Sequence, residues 1–74
     1  MKPPKVDISI SGQGFYSIVA ESKRAEVWMQ QVQGFDGHVA HSDDTRMTQE
    51  IANAAVCNGY RVEVNGRKYL GENR

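Results

Sequence analysis

A chain of 74 residues with nine basic and nine acidic side chains, and no net formal charge, is one small domain. Its charge balance argues against a strongly electrostatic nucleic-acid binder and, equally, against an acidic mimic of nucleic acid. The single cysteine, Cys57, excludes an internal disulfide, and a domain this size buries only about 60% of its unfolded surface, so stability rests on a small core or on a partner.

Residues 1–5 begin the chain as a charged, proline-broken arm, because Pro3 and Pro4 cannot donate to a sheet. No apolar run there has the character of a signal peptide, and none elsewhere reaches the roughly 18 residues that span a bilayer. The expectation is a cytoplasmic protein with no membrane partner.

Val6, Ile8 and Ile10 alternate with Asp7, Ser9 and Ser11, the period-two pattern of a half-buried strand. Phe15 to Ala20 forms a second strand after Gly12-Gln13-Gly14. A three-residue loop pairs Ile10 with Tyr16 and Ile8 with Ile18, placing Val6, Ile8, Ile10, Tyr16, Ile18 and Ala20 on one side. Phe15, Ser17 and Val19 then share the other face with Asp7, Ser9 and Ser11.

Ser22 is the N-cap of a helix that runs to about Val32, with Ala25, Trp28, Met29 and Val32 as its apolar stripe and Gly34 as its stop. Trp28 is its core anchor. Lys23 and Arg24 sit in the first turn, where the helix dipole disfavours cations. A second helix begins after Ser42, Asp43 or Asp44, with Met47, Ile51, Ala54 and Ala55 facing the core and Asn58-Gly59 closing it. Cys57 belongs to that helix and reads as a buried structural thiol.

Between the helices, residues 33–44 hold both histidines and three aspartates. His38 and His41 are weak metal-ligand candidates, since an offset of three sends their rings to opposite faces of a strand. A polar loop is the simpler reading; the alternative is a short fifth strand over residues 37–41 with Val39 tucked in.

Asn65-Gly66 between alternating residues predicts a type I′ hairpin that pairs Val64 with Arg67, Glu63 with Lys68, Val62 with Tyr69 and Arg61 with Leu70. Tyr60, Val62, Val64 and Tyr69 face the helices; Arg61, Glu63, Lys68 and Leu70 face away. Residues 6–70 therefore read as one α+β domain of order ββααββ, and residues 71–74 as a polar tail. The expected fold is a two-layer sandwich, a four-stranded mainly antiparallel sheet of two hairpins with two helices on one face.

No cofactor loop, nucleophile motif or paired-cysteine site is present, and Gly12-Gln13-Gly14 precedes a strand where a dinucleotide fingerprint would open a helix. The expectation is a non-catalytic interaction module without cofactor, an adaptor, inhibitor or homodimeric accessory protein. Its apolar centre is Phe15, Val19 and Leu70 on the open sheet face, with Arg61 and Lys68 at the rim. The alternative is a nucleic-acid binder using Lys23, Arg24, Arg61, Arg67 and Lys68.

Overall fold

The computed structural model describes residues 6–31 and 34–71. The expected arm over residues 1–5, the helical position Val32 and the tail beyond Gly71 lie outside the described residues. Seven elements follow in the order β1 (Ile8–Gln13), β2 (Phe15–Ala20), α1 (Lys23–Gln31), β3 (Val39–Ser42), α2 (Thr45–Cys57), β4 (Val62–Val64) and β5 (Arg67–Tyr69). The strands form a single mixed sheet in the order β3-β2-β1-β4-β5.

This is an α+β fold with a fifth strand, ββαβαββ, and it corrects the expected four-stranded antiparallel sheet in two respects. The inter-helix segment is not simply a polar loop: Val39 to Ser42 pairs antiparallel with β2. The two hairpins meet through a parallel pair, Ile8 with Val62 and Ile10 with Val64. A parallel neighbour needs a crossover connection, and the α1-β3-α2 segment supplies it.

The closing hairpin has the expected register, Val62 with Tyr69, Glu63 with Lys68 and Val64 with Arg67. Asn65 and Gly66 carry positive φ angles of 53° and 82°, as a type I′ turn requires.

The first hairpin is shifted by two residues from expectation, pairing Ile8 with Ala20 and Ile10 with Ile18. A slip of two keeps every side chain on its expected face. Gly12 is the reason: it joins the ladder opposite Tyr16 with φ of 116°, and a Cβ there would collide with the Phe15 carbonyl. The side-chain amide of Asn65 holds it in place. Gly12 N–H donates to Asn65 Oδ1 at 2.9 Å, and Asn65 Nδ2 donates to the Gly12 carbonyl at 3.1 Å. One turn thus stitches itself to the other.

Both helices cover the same sheet face. Ile8, Ile10, Ile18, Ala20, Ala40 and Val62 pack with Ala25, Trp28 and Met29 of α1 and with Ile51, Ala52 and Ala55 of α2 in one cluster. Ser22 caps α1 by accepting from Ala25 N–H at 3.3 Å. Asp44 caps α2, accepting from Met47 N–H at 3.0 Å. At the far end of α2, Tyr60 N–H reaches the Ala55 carbonyl and Gly59 N–H the Val56 carbonyl, the paired bonds of a Schellman closure.

The buried stripe of α2 is Thr48, Ile51, Ala52 and Ala55, rotated one position from the expected Met47, Ile51, Ala54 and Ala55. Thr48 can be buried because its hydroxyl donates to the Asp44 carbonyl at 2.9 Å, while the small Ala52 and Ala55 let the helix sit close to the sheet. Met47 is left exposed. Cys57 is also exposed, since it falls in the last turn on the outer side, and the buried-thiol expectation is corrected.

Trp28 is 7% exposed, and its ring lies 5.4 Å from that of Tyr60. Trp28→Ala is expected to cost about 3–5 kcal/mol, measured by urea unfolding, which would unfold most of a domain this small.

Candidate interaction surface

Strand alternation and the observed register set out the helix-free face residue by residue. One row crosses the whole sheet: Val39, Val19, Ser9, Glu63 and Lys68. Beside it runs a shorter row, His41, Ser17 and Ser11. Phe15 lies beyond, at the start of β2.

The Phe15 ring stacks on the His41 imidazole, centroids 5.8 Å apart and planes 10° from parallel. Ser17 Oγ stands 3.2 Å from His41 Nδ1. Phe15 is nevertheless 62% exposed and Val39 37%. Phe15, Val19, Val39 and His41 therefore make one apolar and aromatic patch at the β2–β3 side, bordered by serines.

Of the expected patch, Phe15 and Val19 share that side, whereas Leu70, 65% exposed, follows β5 at the opposite edge. Three strand spacings separate β2 from β5, about 14 Å. Leu70 does not join the patch within one chain. Val39 and His41 take its place; the fifth-strand alternative tucks Val39 in, whereas the pairing with Val19 turns it to the open face, 37% exposed. The available signal was a short run bounded by Gly37 and Asp43.

The expected basic residues are spread and largely countered. Asp7, assigned from sequence to the open face, is instead buried at 2% exposure. Its carboxylate accepts Arg61 N–H at 2.9 Å and Arg24 Nη2 at 3.1 Å, and Arg61 Nε lies 3.6 Å away. Arg24 also places its guanidinium over the Tyr60 ring at 4.8 Å, which accounts for a cation in the first turn of α1. Lys68 faces Glu63 across the closing hairpin. Lys23 and Arg67 are exposed at separate places.

Burial pushes the Asp7 carboxyl up, but the Arg24 and Arg61 hydrogen bonds, a Ser22 bond and the Arg24 charge outweigh it. Its pKa is held well below the usual carboxylate range.

His38 is exposed in the turn before β3 and His41 is on the open face. Among the described residues no group of three or more His, Cys, Asp or Glu is placed to hold a metal ion. On the helix side, Phe35, Met47, Glu50, Ile51 and Ala54 line an open hollow, a consequence of the rotated α2 stripe that sequence periodicity did not show. No protein-family model, curated protein or solved structure matches this chain significantly.

Because the Asp7 pKa is depressed by folding, its ionised contacts stabilise the fold fully above the unfolded value near 3.9 and are lost as pH falls toward the folded value. Asp7→Ala should cost about 2–3 kcal/mol at neutral pH. Denaturant unfolding at neutral pH and near pH 2 should show that difference shrinking in acid.

Proposed function

We propose that this chain is a small, non-catalytic protein-interaction module that binds a protein partner, another copy of itself included, through the helix-free face of its sheet. The observation that supports the reading is the exposed Phe15 on His41, continuous with Val19 and Val39. Aromatic rings with most of their surface in water, beside aliphatics and uncharged serines, make a favourable contact centre. Ser9, Ser11 and Ser17 border it, and Arg61, Lys68 and Leu70 contribute only to a partner that reaches across to β4 and β5.

A nucleic-acid partner is less well supported. Phosphate binding draws its strength from concentrated, uncompensated cations. Here Arg24 and Arg61 converge on one carboxylate, Lys68 faces Glu63, and Lys23 and Arg67 stand apart. A cytoplasmic location belongs to the same reading, since an exposed lone thiol at Cys57 suits a reducing compartment. Among the described residues no helix is long and apolar enough to cross a membrane.

Phe15→Ser tests the face. Covering the exposed part of that ring is worth about 2 kcal/mol or more, so the variant should bind its partner roughly thirtyfold more weakly at unchanged thermal stability. For self-association the readout is sedimentation equilibrium at low and moderate salt. An apolar face contact persists in salt, and unfolding of Phe15→Ser would show that the ring belongs to the core instead.

A further inference from the structure

The two edges of the sheet differ in a way that the open face does not explain. β3 is flanked by Asp36, Asp43 and Asp44, whereas β5 carries Arg67 and Lys68. Charged residues on an edge strand ordinarily prevent pairing with another copy. Opposite charges on the two edges of one sheet prevent like edges from meeting and favour unlike ones. The strand directions agree with this: β3 runs parallel to β1 and β4, and antiparallel to β5.

We propose that copies of this chain join edge to edge, β5 of one against β3 of the next, extending one antiparallel sheet with all helices on the same side. The backbone phases match. Ala20 N–H donates to the His38 carbonyl, so His38, Ala40 and Ser42 spend their backbone groups on β2, and Val39 and His41 point theirs outward. In the two-residue hairpin Val64 and Arg67 form the hydrogen-bonded closing pair, which leaves Lys68 pointing outward from β5.

Setting Lys68 opposite His41 of the next copy brings outward groups together and keeps both side chains on the open face. Leu70 then meets Val39 of that copy, beside its Val19. Lys68 falls diagonal to Asp43, and Arg67 diagonal to Asp44, within reach of long side chains. The exposed leucine that lies far from the patch in one chain is thereby returned to it between two. A head-to-tail dimer leaves one β3 edge and one β5 edge unpaired, so growth continues past two copies. The contact uses strand edges, and it stands or falls separately from the reading of the open face.

The test uses two edge-blocked variants of the whole chain, Val39→Pro and Lys68→Pro, each removing an N–H that points outward. By sedimentation equilibrium the wild-type chain should grow beyond two copies with concentration and shrink in salt. Each variant alone should stay a single chain, and an equimolar mixture should reach two chains and stop. If proline disturbs the fold, as circular dichroism would show, Asp43→Lys serves in its place and should weaken association at low salt only. A wild-type chain that stays monomeric throughout overturns the proposal. So does a Lys68→Pro variant that associates as the wild type does, because that outcome assigns the contact to paired β3 edges or to the open face.

Discussion

The Asp7 carboxylate is the contact on which the arrangement of this fold depends. It sits at the entry to the central strand and touches the entry to β4 through Arg61 and the first turn of α1 through Arg24. Its backbone continues the same junction, with Asp7 N–H donating to the Arg61 carbonyl and its own carbonyl accepting Glu21 N–H. Three stretches distant in sequence, around residues 7, 21–24 and 61, are therefore joined by one residue. A carboxylate this deeply buried is stable only when its lone pairs are filled by well-placed donors, and here the Arg61 main-chain amide and the Arg24 guanidinium fill them, with the Arg61 guanidinium close by as a second charge. Arg24 and Arg61 keep more than half of their side chains in water, so the junction sits at the rim of the core.

That junction has two effects on the surface. It fixes the parallel β1–β4 pair at one end, while the Asn65 amide on Gly12 fixes the other, so the two hairpins form one sheet instead of two separate ribbons. It also draws Arg24 and Arg61 to one carboxylate. What remains on the helix-free face is a row of serines and aliphatics ending in the Phe15–His41 stack, with the Glu63–Lys68 pair at the far side. The β2–β3 side of that face therefore presents serines, aliphatics and the Phe15–His41 stack.

Local chemistry made much of this legible in the sequence. The Asn65-Gly66 turn, the Ser22 and Asp44 caps, the α1 stripe and the faces of β1 and β2 all follow from periodicity and from residues that act within a few positions. What escaped depends on contacts between distant segments. β3 is four residues long and carries only Val39 and Ala40 as apolar members, so its pattern allows a short strand but favours it no more than a polar loop, and only the pairing with β2 decides. Periodicity alone places the α2 stripe one position off, because Thr48 is polar and is buried only through its hydrogen bond to the Asp44 carbonyl. Asp7 looked like an ordinary outward residue of an alternating strand, since nothing near it reveals two arginines arriving from positions 24 and 61. Leu70 was grouped with Phe15 because strand order, which separates them, is a property of the whole sheet.

Titration of the Asp7 side-chain carboxyl by carbon NMR on the intact chain examines this account most directly. The carboxyl should remain ionised well below the pH at which an unperturbed aspartate takes up its proton. Titration of Asp7 in the ordinary aspartate range near 3.9 would mean that it is not clamped by Arg24 and Arg61. Asp7 would then not be the contact that holds the sheet's architecture.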